Sequence, residues 1–466
     1  MLSIARTVRE FDLEHSLKDP NKPRFEQGNA TKLQECLDCL DMETLAAFFS
    51  SPWFMRLWVV QESVLSKRAT FFYGSVGVNM TSVLILATYL RENYYTRYES
   101  RGQKVEQIAQ MEYATELYDT RLQRTRLQFQ HGLSEHEVGS SLGNLLSSFH
   151  DRQNLDARDK IYAILGLCWP STAAQITPDY TKPLGDIYLH ASSLAFTETG
   201  STGSINILHY ARNMGHKPTS WYKENHWPTW LPCWQYPFDL IKNPSMIAAL
   251  RSDVHELLDS GQENIQSTSQ SQLSFSGVVI DTVVQTTSPM IRNKEEAAAQ
   301  SEEGSSGERI VVRIEDVEEA ITKCMNLDAQ VIWLPGDRSL ISIIGETLVA
   351  GDYGYDTDPA VGEAHFHSVL QYTSHKSSSH ELSSEAQAAV ADGLDDPWTY
   401  LTGFDVHTTF RVCFLTSRGY FGLGSEYMLA GDLICVPQGS QTPYIIREED
   451  DHYILIGQCY LCVSLC

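Results

Sequence analysis

Apolar and polar positions alternate along this chain with two different periods, and the change between them divides it. Leu33, Leu37, Leu40 and Leu45, then Phe54, Leu57, Trp58, Gln61 and Leu65, recur at helical spacing, so 31–66 reads as helix with a break at Ser50 to Pro52. Pro52 suits a first helical turn, where its missing N–H costs nothing. Ala69 to Tyr73, followed by Gly74, predicts a strand and a turn, and Thr81 predicts the cap of a helix over 82–95. The polar stretch 104–130 predicts a surface helix or an insertion, and Leu142 to Phe149 a short amphipathic helix. A further helix is expected from Leu184 to Thr199, strands over Leu273 to Val284, and helices over Ile314 to Met325 and Ser339 to Val349. From Phe404 onward the period becomes two. Short strands are expected at Thr409–Thr416, Gly419–Leu423, Asp432–Val436, Tyr444–Arg447 and His452–Cys462.

Between these elements lie segments with other signatures. Trp221, Trp227, Trp230 and Trp234 are interleaved with Pro228 and Pro232, which excludes regular helix or a central strand. A loop pinned by aromatic burial is expected, with a sugar- or peptide-binding shelf as the functional alternative. Ser260–Gln272, Glu295–Gly307 and Ser374–Glu385 are polar and Ser-rich, the composition of mobile insertions. Gly419 to Gly424 looks superficially like a phosphate loop, but no helix pattern follows it and its glycines suit hairpin turns. His365-Phe366-His367 has strand-like spacing, with no third metal ligand evident.

Composition narrows the class. The 466 residues carry a formal net charge of -24. That argues against nucleic acid or an anionic membrane as main partner, since both require clustered Lys and Arg. No signal-peptide core and no run of apolar residues long enough to span a membrane is present; Val83 to Leu90 is too short. A cytoplasmic (cytosolic or nuclear) setting is expected, and there the ten cysteines are expected as reduced core residues. Cys36 and Cys39 have zinc-knuckle spacing without a second pair, and Cys459, Cys462 and Cys466 fall on a strand pattern, so no metal or other cofactor is expected.

Two charged clusters stand out. In Trp53-Phe54-Met55-Arg56-Leu57-Trp58-Val59-Val60-Gln61-Glu62, Trp58 and Glu62 share a helix face, while Arg56 lies six before Glu62 and points elsewhere. Each charge therefore needs a partner from another segment; either the helix is a core helix with polar bonds to backbone, or Glu62 faces a cleft. In Asp156-Ala157-Arg158-Asp159-Lys160-Ile161-Tyr162, Asp156 suits an N-cap and Asp159 the positive end of a helix. Capping plus an ion pair that fixes the helix entry is favoured there over catalysis.

These pieces, in this order, resemble the fungal heterokaryon incompatibility (HET) domain family. The family's Trp-Phe-x-Arg-x-Trp-x-x-Gln-Glu helix is matched by Trp53, Phe54, Arg56, Trp58, Gln61 and Glu62. Its Asp-x-Arg-Asp block is matched by Asp156, Arg158, Asp159, Tyr162 and the residues to Leu167, and its Pro-Asp-Tyr segment by Pro178, Asp179 and Tyr180. The Trp/Pro loop and a terminal pattern with Gly422, Gly424, Gly431 and Asp432 also fit. Members usually begin with a Leu-Ser-Tyr-x-Trp-Gly strand and a Trp-Ile-Asp-x-x-Cys-Ile-Asn-Gln block; neither occurs here, so a truncated domain without its first strands is expected.

The resemblance implies a signalling module in non-self recognition and regulated cell death that works by self-association or by docking to a protein partner. The family is similar at a distance to Toll/interleukin-receptor (TIR) domains, some of which cleave NAD with a glutamate; Glu62 would then be the catalytic carboxylate, Trp58 a stacking surface and Arg56 a phosphate ligand. An inactive paralogue is the third alternative. The expected fold class is α+β: a truncated TIR-like α/β to mainly helical region at 1–200, a mixed middle with flexible Ser-rich insertions at 201–400, and a small, barrel-like antiparallel β module at 401–466.

Overall fold

The computed structural model describes residues 47–73, 76–98, 111–134, 136–198, 205–211, 219–235, 266–269, 272–290, 313–327, 339–351, 359–377, 382–438, 440 and 442–462. The chain divides into two compact units, Met1–Ile187 and Tyr188–Cys466. Cys36, Cys39, Cys466, the expected helix before residue 47 and the segment Glu295–Gly307 lie outside the described residues.

The first unit is mainly helical. Its helices are α1 (Pro52–Met55), α2 (Leu57–Leu65), α3 (Met80–Tyr98), α4 (Glu112–His131), α5 (Leu142–Ser148), α6 (Asp159–Tyr162) and α7 (Pro170–Ala173). The strands β1 (Thr70–Tyr73) and β2 (Val76–Asn79) form an antiparallel hairpin that pairs Thr70 with Asn79. Pro52 occupies the first turn of α1, after Ser51 as cap. The expected break sits later, at Arg56, whose backbone is extended. Extended backbone there lets Leu57 N–H donate to Gln153 O at 2.9 Å and Gln153 N–H to Met55 O at 2.7 Å. Phe54 and Trp53 then pack on Phe71 of the hairpin, with ring centroids 5.6 and 4.7 Å apart. Helix α3 starts one residue before Thr81, and its cap is Asn79, whose Oδ1 accepts the Ser82 N–H at 3.3 Å. Helix α4 is no mere surface helix: Ala114, Leu117 and Tyr118 are buried.

The second unit begins within α8 (Leu184–Thr197) and continues through α9 (Thr219–Glu224). It contains β3 (Gln266–Ser269), β4 (Gln272–Ser274), β5 (Gly277–Thr286), α10 (Ile314–Met325), α11 (Leu340–Leu348), α12 (Pro359–Leu370), α13 (Ser384–Ala391) and α14 (Pro397–Thr408). The chain then runs through β6 (Arg411–Thr416), β7 (Phe421–Ser425), β8 (Leu433–Pro437), β9 (Tyr444–Glu449), β10 (His452–Gln458) and β11 (Tyr460–Cys462). Seven of these strands form one antiparallel sheet in the order β10-β9-β8-β5-β6-β7-β11. Its two end strands are separated in sequence by Cys459 alone, so the sheet bends back towards itself.

Alternation along β6 explains why this sheet is buried on both faces. Cys413 and Leu415 face a helical layer that supplies Val317, Ile344, Phe366 and Phe404. Val412 and Phe414 face Ile434, Ile445 and Ile456 on the inside of the bend.

Several expectations are corrected here. Phe404 to Thr408 end helix α14, so the β pattern begins at Arg411. His365 and His367 lie on helix α12, where the flanking residues extend a helical run; the His365 Nδ1 accepts the Asp396 N–H at 2.9 Å. Trp221 lies on the short helix α9, ahead of the prolines that break the rest of its segment. Within the Ser-rich stretches, Gln266–Ser269 pairs with Gln272–Ser274, Ser374–Ser377 forms a 3-10 turn, and Ser383 caps α13. Gly422 and Gly424 are not turn glycines: they sit inside β7, where a Cβ on Gly422 would meet Phe414 Cζ and the Tyr460 carbonyl oxygen at 2.4 Å.

Candidate functional site

In the first unit the charged motif residues meet one another. The Asp156 Oδ1 accepts from the Arg158 N–H and from its Nε–H, each at 3.0 Å, which fixes the entry to α6 as a cap and an ion pair together. The Arg158 guanidinium also donates to the Tyr180 carbonyl. The Tyr180 hydroxyl donates to Asp159 Oδ1 at 2.6 Å. The Tyr162 hydroxyl donates to the Asp179 carbonyl and accepts the Asp179 N–H, both at 3.0 Å. The Tyr162 and Tyr180 rings pack edge to face at 5.2 Å. The Asp-x-Arg-Asp block and the Pro-Asp-Tyr segment are thus two halves of one hydrogen-bonded clasp. The Thr181 N–H and hydroxyl hold the Asp179 carboxyl below the usual carboxylate range.

The tryptophan motif is tied in separately. Gln61 Oε1 accepts the Gly166 N–H at 3.3 Å, and Gly166 leaves no room for a Cβ beside that amide. Trp53 and Trp58 are half-buried. Arg56 and Glu62 are exposed. Glu62 lines neither of the two cavities described below.

Behind the clasp lies a buried ionic cluster that sequence reading missed. Arg152, fully buried, donates to the carbonyls of Phe54 and Tyr113, the latter at 2.7 Å, and to Glu116 Oε2 at 2.7 Å. Lys160, also buried, donates to the carbonyls of His150, at 2.6 Å, and Arg152. Burial pushes the Glu116 carboxyl up to about 7 against the pull of Arg152. Burial also brings the Lys160 ammonium down to about 8, against the attraction of Asp151. The available sequence signal was Lys160 itself, a cation immediately before the apolar run Ile161 to Leu167.

A cavity of about 660 Å³ opens in the same unit between the end of α2, the middle of α4 and residues 165–173. Lys67, Arg121, Arg124 and His136 line it.

The second unit has its own concave face, about 1050 Å³, lined by Tyr222, Trp227, Trp230, Val279, Tyr453 and the acidic run Glu449 to Asp451. The tryptophan loop that walls it is held by burial, as its prolines required. Trp227 packs edge to face on Tyr188 at 6.2 Å, and Trp230 on Phe196 at 5.6 Å. The Thr229 hydroxyl accepts the Leu455 N–H at 2.9 Å, which covers part of the β10 edge. Gly431 and Asp432 have a structural role: Gly431 turns the chain at φ 99°, and the buried Asp432 carboxylate takes the Arg447 guanidinium in a two-pronged bond of 2.7 and 2.9 Å. Leu429 N–H adds a third bond at 2.7 Å.

Among the described residues no helix is long and apolar enough to cross a membrane, and no group of three His, Cys, Asp or Glu side chains could hold a metal ion.

Comparison with known proteins places these features. The family model described as the Het-6 beta-barrel domain matches residues 369–464, the helices α13 and α14 and all of β6 to β11. Heterokaryon incompatibility protein 6, OR allele, of Neurospora crassa is 22% identical over 483 residues, covering 94% of this chain and 68% of the relative. No solved structure matches. The chain is thus similar over nearly its whole length to a fungal heterokaryon incompatibility protein, and its C-terminal part matches the Het-6 beta-barrel domain.

Proposed function

We propose that this chain is a cytoplasmic signalling module of fungal non-self recognition that promotes regulated cell death through association with a protein partner or a second copy. The similarity to a heterokaryon incompatibility protein supports a role in incompatibility. The observation that carries the association reading is the use made of the motif residues. Asp156, Arg158, Asp159, Tyr162 and Tyr180 direct their polar groups at one another or at the facing backbone, and Thr181 takes the Asp179 carboxylate, which fits a scaffold. The second unit supplies the contact face in this reading. Its concave surface presents Tyr453 and Val279, both about half exposed, beside the tryptophan loop. An apolar patch rimmed by acidic residues is the anatomy of a protein contact. The sheet that bends back through Cys459 supports reading 369–464 as a barrel-like platform for that face.

The competing reading, a TIR-like NAD-cleaving enzyme, assigns the chemistry to Glu62. Expression in a filamentous fungus separates the two. Association predicts that Tyr453→Asp and Val279→Asp abolish cell death, while Glu62→Ala leaves death and cellular NAD unchanged. Loss of death and of NAD consumption in Glu62→Ala, with both aspartate variants still active, would overturn it.

A further inference from the structure

Helix α4 changes character half-way along one face. Its first half buries Ala114, Leu117 and Tyr118. The same face continues, at helical spacing, through Arg121, Arg124, Thr125 and Gln128. A face that stays against the protein normally stays apolar. Here it turns cationic and polar, and at that point the packing gives way to the 660 Å³ cavity. Lys67, from the segment after α2, and His136, from the turn after α4, complete the wall. No Asp or Glu is among the lining residues, in a chain of net charge -24. A local cationic surface on an acidic protein is the field that draws in an anion.

Arg121 is already spent on the protein. Its guanidinium donates to the Ser63 carbonyl, to the Ser66 carbonyl at 3.1 Å and to Ser66 Oγ at 3.3 Å. It thereby neutralises the carbonyl end of α2, which would otherwise repel an anion there. Lys67 and Arg124 line the cavity and each also interacts within the chain, so an incoming anion would share them with the protein. The volume lies within the usual range for small-molecule sites, and Thr125, Gln128 and the polar backbone at Gly166 add neutral hydrogen-bonding groups.

We propose that this cavity in the first unit binds a small phosphorylated molecule, with Lys67 and Arg124 as its phosphate ligands and Arg121 as the residue that makes the site electrostatically permissive. The site is independent of the concave face of the second unit and of Glu62.

The test is calorimetric titration of the whole chain with inorganic pyrophosphate and, separately, adenosine 5′-diphosphate. Saturable binding is expected for at least one. Removing one charge-assisted contact in Lys67→Gln or Arg124→Gln is expected to weaken it about tenfold, with Lys67→Arg close to wild type. Both side chains reach solvent, and an unchanged circular dichroism melt checks that each variant is folded. Arg121 is left intact because its loss would unfasten α2. Absence of binding by both probes overturns the proposal, as does binding that all variants retain at full strength. A phosphoserine peptide that binds where neither probe does also overturns it, in favour of a protein ligand.

Discussion

In the first unit Arg152 and Lys160 set buried cations on backbone carbonyl oxygens, whereas in the second Asp281 and Asp432 set buried carboxylates on backbone N–H groups. Arg152 and Lys160 reach the carbonyls of Phe54, Tyr113, His150 and Arg152. Asp281 accepts the N–H groups of Thr282, at 2.8 Å, and Arg418, at 2.9 Å, and Asp432 accepts that of Leu429. The difference follows from architecture. Short helices joined by irregular segments leave inward carbonyls that no ladder satisfies, and a buried unpaired carbonyl is costly. A seven-stranded sheet satisfies its carbonyls in the ladder and leaves orphan N–H groups at its turns. In these two clusters the buried charge answers the backbone groups left unpaired beside it, while Asp159 in the first unit and Arg411 in the second are buried charges of the other sign.

The largest expected effect is at Arg152. Arg152→Met leaves the Phe54 and Tyr113 carbonyls unpaired and Glu116 without its counter-charge. A loss of about 3–5 kcal/mol is expected, the range for breaking a buried ion pair from one side. Hydrogen exchange reads the units separately, and lost protection should concentrate in residues 47–187. Asp432→Asn keeps shape and one acceptor, and Arg447 is partly exposed at 24%. About 2 kcal/mol is expected there, as loss of protection along β8 and β9. If Asp432→Asn proves the more damaging, the contrast between a cation-dependent and an anion-trimmed unit fails. Gly422→Ala is the uncharged control. Crowding against Phe414 and the Tyr460 carbonyl should cost about 1–2 kcal/mol through packing alone.

Acid should act with opposite sign on the two carboxylates. Glu116 has its folded pKa raised to about 7 by burial, so its contribution is present below the ordinary carboxylate range and lost as pH rises through 7. Burial also pushes Asp281 upward, but bonds from Ser417, Thr416 and two backbone N–H groups outweigh it and hold it below its ordinary value. Its contribution is present above that value and lost as pH falls through its lowered pKa. His150, lowered by burial, opposes Glu116 within the first unit, so the variant difference is the proper readout. The stability of wild type relative to Glu116→Gln should fall between pH 5 and 8. That of wild type relative to Asp281→Asn should fall as pH drops below 5. A shared sign in the two pH profiles would break the comparison.

The elements of the second unit were the more legible in sequence, for a physical reason. Alternation reports a buried face directly, and β6 to β10 start within two residues of their expected positions. The helix Ile314–Met325 carries buried Val317, Ala320, Ile321 and Cys324 at helical spacing and has the expected bounds. In the first unit the decisive groups are isolated charges. A lone Arg152 or Lys160 in sequence looks like any solvated side chain, and its burial is set by carbonyls tens of residues away. His365 and His367 misled because three residues cannot distinguish a strand face from a helical turn. The motif clasp was half legible: the Asp156 cap and ion pair follow from local spacing, while the bonds of Tyr162 and Tyr180 cross to a segment brought close only by folding.

Glu62 gives the smallest expected effect and the sharpest contrast with Arg152. Glu62 belongs to a conspicuous sequence motif and Arg152 does not, yet Glu62 is exposed on α2 while Arg152 is fully buried. Exposed helical Glu→Ala exchanges two good helix formers and strands no buried group. Glu62→Ala should therefore shift unfolding by no more than about 0.5 kcal/mol. That near-neutrality is what makes it informative, because any loss of cell death in this variant cannot be charged to unfolding. A stability loss above about 1 kcal/mol would mean that Glu62 anchors a contact to another segment, as Arg152 does.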